Sequence, residues 1–464
     1  MRRLVLVLAA CGSRSAPTPP PPPVAAEPPV LRPQPGADLE GPIAVPAKTG
    51  PVAPRTPAPM IDLASDRVVV PVDVPAPPRG AAVTFAFGDD RTGWVTHIPD
   101  SVQMPALAYG EGRVYVSGGF ESRTFYALDA GTGHVEWATQ NLEDDGPTAP
   151  VFDDGRVIFN TESCTLFALD GKTGRRLWFR KIGDPTLAQT AVADGLVYAS
   201  HPAPDGQQLS AYRVKDGGEV WSAWIGSELL AAPVIAGDAV YAATTAGATF
   251  RFARKTGKRA WAAPLGATTA PWVDGDELFV TRRQAGKEQQ VVVDATTGKV
   301  VREHGKGSAP SRDVPHDIGN WKEVWAFEGS RPVVDRGVRY VALGGEIQAS
   351  DAKSGEPLWR RRYAAKPDAR SIGTVAFAGS AIVVSTRDGQ VFALDVDTGY
   401  TLWSYALGHE VVAEPVIAKG WVYVTTRDGY VIALDVADPT LDGWHMFGGN
   451  PEHGGPVVPE RGLL

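Results

Sequence analysis

One residue position constrains this chain more than any other. Starting at Trp94, a bulky residue recurs at intervals of 43, 41, 43, 40, 41, 57, 44 and 41: Trp137, Trp178, Trp221, Trp261, Arg302, Trp359, Trp403 and Trp444. Four residues ahead of it stands the last glycine of a run such as FYALDAGTG (125–133), LFALDGKTG (166–174), IQASDAKSG (347–355) or VFALDVDTG (391–399). SAYRVKDG, FRFARKTG and VVVDATTG are weaker copies, and a further copy begins at 431–435 and lengthens towards Trp444. A fixed period of about 40–45 residues marks a propeller or solenoid array.

Each period reads as strands. Short alternating segments (RVYV at 113–116, RVIF at 156–159, LVYA at 196–199, WVYV at 421–424) lie between Gly-Asp or Asp-Gly turns, which is hairpin chemistry. In the Asp-x-x-Thr-Gly element the carboxylate can accept backbone N–H groups while the glycine supplies the positive φ that closes the turn. Asp129, Asp170, Asp294, Asp351, Asp395 and Asp435 recur once per period. That is how a scaffold residue behaves, whereas a catalytic group would occur once. Four strands per ~42 residues make one blade. The prediction is an all-β, eight-bladed β-propeller of four-stranded antiparallel blades over 83–447, monomeric, with tryptophans wedged between neighbouring sheets. Either the strand at Trp94 or the one at Trp444 closes the ring, and sequence leaves that choice open.

The N-terminus follows another grammar. Arg2 and Arg3 precede a short apolar run ending in Leu8-Ala9-Ala10-Cys11, the pattern of a secretory signal, and the tetrapeptide resembles the lipobox of bacterial lipoproteins. On that reading residues 1–10 are a signal peptide and Cys11 carries the lipid that anchors the chain to a membrane. Residues 17–59 hold sixteen prolines, so 11–80 is expected to be a disordered Pro/Ala-rich tether. No apolar stretch of 18 residues occurs. With 45 Lys+Arg against 53 Asp+Glu, the net charge of -8 argues against nucleic acid as a partner.

The ALDxxTGxxxW repeat resembles the pyrroloquinoline-quinone-type (PQQ-like) propeller repeat, and WHMFGGNPEHGG at 444–455, running into a C-terminal tail at 448–464, is similar to a segment common in such proteins. Two branches follow from the resemblance. One holds quinoprotein dehydrogenases that bind the quinone and calcium. The other holds BamB-like lipoproteins of the outer membrane's periplasmic face, within the β-barrel assembly machinery. The dehydrogenase branch implies adjacent cysteines, yet Cys11 and Cys164 are the two cysteines present. It also implies a calcium site of convergent oxygens, whereas the aspartates here repeat as turn formers. PQQ and calcium are therefore not expected as cofactors, nor is a catalytic residue.

No G-x-S-x-G, H-E-x-x-H or Walker loop occurs, and the eight histidines are scattered. A metal role for His445 and His453 is the weaker reading of that pair, and Cys164 reads as a buried, inert thiol. One interval, Arg302 to Trp359, is about fifteen residues too long, and the excess falls within 303–330. Insertions in repeat proteins map to loops, often on the binding face. Arg312, His316, Trp321 and Trp325 are thus the candidate partner-binding residues, with solvated filler as the plain alternative. The sequence reads as a non-enzymatic, outer-membrane-anchored scaffold acting through protein–protein contact. The alternatives are a lipid-anchored module for a polysaccharide, peptide or surface partner, and a quinone-dependent dehydrogenase.

Overall fold

In the computed structural model, the residues described are 61–63, 68–88, 90–101, 104–139, 142–183, 189–284, 287–304, 331–343, 346–362 and 375–453. They form eight sheets of four antiparallel strands, each running from a three-residue inner strand outwards and three of them gaining a fifth strand, with no helix among them. The inner strands are Ala108–Gly110, Val151–Asp153, Ala191–Ala193, Val234–Ala236, Trp272–Asp274, Val333–Asp335, Ala376–Ala378 and Val416–Ala418, which open blades 1 to 8. The protein is an eight-bladed β-propeller.

Local chemistry explains each turn of a blade. Inner strands join the next strand through pairs such as Glu111-Gly112 (φ 48° and 77°) and Asp154-Gly155 (φ 43° and 72°). Positive φ at both positions is the type I′ turn whose twist suits a tight hairpin. At the outer turn, Asp129 Oδ1 accepts the N–H groups of Gly131 (3.1 Å) and Thr132 (2.8 Å) and the Thr132 hydroxyl (2.7 Å). Asp170, Asp294, Asp351 and Asp395 bind their own turns in the same way. The hydrogen bonds hold the Asp170 and Asp351 carboxyls below the usual range, against the opposing pull of burial, which is the largest influence at Asp351.

Blade-to-blade contact rests on the repeated tryptophan. Its ring lies on the turn glycine of the next blade: a Cβ on Gly133 would come within 2.4 Å of Trp94, and one on Gly174 within 2.5 Å of Trp137. Its indole N–H donates to the carbonyl just after that blade's Asp position, which Arg213 fills in blade 3 and Ala253 in blade 4. Trp94 bonds Ala130 (2.9 Å), Trp137 Gly171 (3.0 Å), Trp178 Val214 (2.7 Å), Trp221 Arg254 (2.8 Å), Trp261 Ala295 (3.0 Å) and Trp359 Val396 (3.2 Å). At three seams a tyrosine hydroxyl, of Tyr423, Tyr115 or Tyr340, takes the same oxygen. Trp403 faces the lengthened turn of blade 8 and instead stacks on Tyr405 at 5.4 Å.

Ring closure is decided by register. In blades 1, 2 and 3 the tryptophan pairs with the alanine of ALD or its equivalent, as in Ala127↔Trp137, Ala168↔Trp178 and Ala211↔Trp221. Blade 8 makes the same pairing with Trp94, through Ala433. Arg91–His97 is therefore its outer strand, and Ala82–Phe87 adds a fifth. Trp444 is not a repeat tryptophan: its backbone bridges Ile417 of the inner strand, at the opposite side of the same blade. A second difference concerns the segment 11–80. Ile61–Leu63 pairs in parallel with blade 6 and Val70–Pro71 with blade 7, so these two pieces of that segment are strand rather than tether. Three successive blades thus have their outer edges covered, which removes unpaired edges there.

Candidate functional site: an axial channel filled by the chain's own tail

The inner strand of each blade has no neighbour on its channel side, so its N–H groups need partners from elsewhere. Residues 444–453 supply them. Ile417 N–H donates to Trp444 O (2.7 Å), Tyr109 to His445 O (2.7 Å), Val192 to Pro451 O (2.8 Å) and Ile235 to Glu452 O (3.0 Å), while Phe152 N–H meets Met446 Sδ at 3.0 Å. All five donors are the middle residues of inner strands. The tail crosses the axis and serves blades 8, 1, 2, 3 and 4 in turn.

Side chains complete the plug. Phe447, 1% exposed, belongs to a core cluster with Ala106, Ala149, Ala232, Ala270 and Ala413, which precede or flank the inner strands. Methyl side chains leave the axis wide enough for a phenyl ring. Blade 6 carries Arg331 where blades 1, 2, 4 and 5 carry these alanines. The Arg331 guanidinium, 1% exposed, donates to the carbonyls of Gly448 (3.4 Å), Pro271 (3.3 Å) and His453, and lies 5.5 Å from the Trp272 ring centre.

His453 is buried beside it, 5.6 Å from the Phe447 ring. Burial first, and the Arg331 charge second, lower its pKa to about 3, so it is a neutral imidazole. A base with a depressed folded pKa contributes stability that is complete above its unfolded value near 6.5 and is lost as pH falls below it. Acidification from pH 7 to pH 5 therefore costs about 2 kcal/mol through His453. Melting curves of the chain and of His453→Gln check this. The difference between them matters, because Glu162 titrates from about 7 and pushes the other way. Parallel pH profiles for the two proteins would rule the mechanism out.

The histidine pair singled out in sequence is not one site: His445 Nε2 contacts Asp442 Oδ1 (2.7 Å), while His453 packs within the plug. Cys164 is fully buried, in a turn with φ 62°. Cys11 and the insertion residues Arg312, His316, Trp321 and Trp325 lie outside the described residues. On the loops of blades 1 and 2, Asp100, Glu121, Asp144, Asp145 and Glu162 gather an acidic rim. Ser122 donates to Asp100, Thr161 and Ser163 donate to Asp144, and burial together with Asp145, Glu121 and Asp144 raises Glu162 to about 7. Among the described residues no group of three or more His, Cys, Asp or Glu is placed to hold a metal ion.

The plug left weak traces in the sequence. Its signal was the alanine before several of the inner strands, together with the aromatic, proline-interrupted tail, and periodicity alone does not join the two.

The family model described as outer membrane protein assembly factor BamB matches residues 80–304 and 343–452. The chain belongs to this family. Those two stretches span the repeat from the closing hairpin to the plug. BamB of Salmonella typhimurium strain LT2 is 33% identical over 91 residues, which is 19% of this chain and 22% of the relative. The quinoprotein alcohol dehydrogenase PedH of Pseudomonas putida strain KT2440 is 26% identical over 162 residues, 29% of this chain and 27% of the relative. The chain thus spans about a quarter of the length of these curated relatives. Among solved structures, BamB from Moraxella catarrhalis superposes with a TM-score of 0.57 at 17% identity, covering 76% of this chain and 100% of that one. At that identity the likeness shows the fold alone.

Proposed function

We propose that the chain is a non-enzymatic propeller scaffold, anchored by a lipid on Cys11 at the outer membrane, that assists outer-membrane β-barrel assembly by protein–protein contact. The observation that carries this reading is the filled axis. Phe447, Trp444, Met446 and His453 occupy it, so what remains for a partner is the rims, the loops and the outer edges. Family membership supports the same reading. The described residues also fit a quinone and its calcium poorly. The axis is filled by apolar side chains, a neutral imidazole and the Arg331 guanidinium that binds the tail's carbonyls, the repeated carboxylates are bound into their own turns, and the propeller carries a single cysteine, Cys164. Neither group enters this mechanism.

Crosslinking in intact cells, with identification of what is captured, tests the proposal. A β-barrel insertase or its associated factors should be recovered from the chain, and Cys11→Ser should move it from the membrane to the soluble fraction. Recovery of no assembly component, with the variant still membrane-bound at high salt, would end this reading. The similarity to PedH motivates a second arm. Dye reduction by protein reconstituted with quinone and calcium would put a dehydrogenase in its place.

A further inference from the structure

Seven of the eight blades carry an apolar pair at one position of the two middle strands: Val114↔Leu128, Val157↔Leu169, Val197↔Tyr212, Val240↔Phe252, Leu278↔Val293, Ile382↔Leu394 and Val422↔Leu434. Blade 6 has Arg339↔Ser350 there. Directly opposed residues share one face of a sheet, and neighbours along a strand take opposite faces. Tyr340 reaches forward to Val396 of blade 7, so Arg339 and Ser350 face back to blade 5.

Blade 5 has changed at the same seam. Arg302 replaces its tryptophan and turns to Glu277, with two bonds of 2.7 and 2.6 Å. His304 takes the place of the indole on the turn glycine: a Cβ on Gly355 (φ 76°) would come within 2.1 Å of His304 Nδ1. The remaining charge at the seam, Asp351, is held in its own turn by Lys353 N–H and by the N–H and hydroxyl of Ser354.

The seam between blades 5 and 6 is therefore polar where the other seams are apolar, and its polar atoms are not used up. Arg339 Nε and Nη1, Ser350 Oγ and His304 Nε2 are all buried without a hydrogen-bond partner. The three residues are 6%, 5% and 5% exposed. Burial alone pulls Arg339 down to about 10, and burial with Arg339 and Arg302 pulls His304 down to about 4. A buried guanidinium with no counter-charge is among the costliest groups a core can hold, and neither residue of an apolar pair would have incurred it.

We propose that this seam is a binding site for a small oxyanion, held by the Arg339 guanidinium with the Ser350 hydroxyl and the His304 imidazole. A guanidinium presents N–H donors in a planar fork that matches two oxygens of a carboxylate or phosphate. The Ser350 hydroxyl supplies a further donor, and the His304 ring, whose first proton goes to the Ala352 carbonyl, donates through Nε2 once the anion's charge draws a second proton onto it. Glu277 and Asp351 do not compete, since each is already engaged. The bound anion ties blade 5 to blade 6 at a seam where no tryptophan stands in the repeat position.

The test is calorimetric titration of the full chain with inorganic phosphate and, separately, with acetate, at ionic strength held constant by chloride. Saturable binding of at least one is expected, phosphate identifying a tetrahedral ligand and acetate a carboxylate. The double variant Arg339→Leu/Ser350→Leu, which restores the pair found in the other blades, should fold and bind at least tenfold more weakly. The proton resonances of the His304 ring, assigned by their loss in His304→Gln, should shift during titration of the unmodified chain. That second readout needs no folded double variant. Absence of saturable binding by either anion, equal binding by the double variant, or an unmoved His304 resonance would each overturn the proposal.

Discussion

A chain ending at Gly443 should lose its cooperative melting transition. The truncation removes Trp444, Met446 and Phe447, which are 0%, 3% and 1% exposed, from the axis of the ring. Losing a buried large aromatic side chain costs ~3–5 kcal/mol. Two of them, with Met446 and the buried Arg331 left without the Gly448 and His453 carbonyls, are as large as the ~5–15 kcal/mol by which most domains are stable at all. Water entering the opened axis would recover some of the five inner-strand N–H bonds, so the apolar loss dominates. Phe447→Ala isolates one part, and should lower stability by ~3–5 kcal/mol with the ring intact. Denaturant melts of the three proteins decide the matter. If the truncated chain melts like the full one, the tail is an ornament on a ring that holds itself.

Closing-strand removal should be equally severe. A chain beginning at residue 98 lacks Arg91–His97, so blade 8 loses its outer strand and blade 1 the Trp94 clamp on Ala130. The unpaired edge at 430–435 is then a template for other chains, and aggregation should accompany the loss of a sharp transition. A chain beginning at residue 80 keeps that strand and forfeits the short pairings of Ile61–Leu63 and Val70–Pro71 and the buried Val72. It should melt cooperatively, lower by about 1–2 kcal/mol of stability. Trp94→Ala is the point version, at ~3–5 kcal/mol. Coincident transitions for chains starting at 80 and 98 would contradict the register that assigns closure to Trp94.

The contrast between the two ends of the molecule shows what a repeat makes legible. Trp137, Asp129 and Gly133 announced the blade because the same local problem, a turn packed under an indole, is solved many times and leaves a periodic trace. The period even pointed to Trp94, since spacing survives the jump from the first blade to the last. It misplaced Trp444 because spacing reports distance along the chain, whereas Trp444 is seated at the axis by its bridge to Ile417. Events that happen once leave no period. The Arg331–His453 contact and the Arg339–Ser350 pair became visible when strands were aligned in space. Arg302 at a tryptophan position was the clue in plain view, and its meaning depended on what blade 6 placed opposite.

The closing strand also sets an order in time. Trp94 leaves the ribosome 339 residues ahead of Ala433, with which it pairs. The Thr425 hydroxyl and the Pro105 carbonyl that it bonds are likewise 320 positions apart. Until synthesis has passed Ala433, a half-built ring must wait with an open edge at each end, and contacts of such long separation form slowly. A protein of this kind spends its youth as an unfinished arc, and needs shielding from other chains for as long as its own last strand has not arrived.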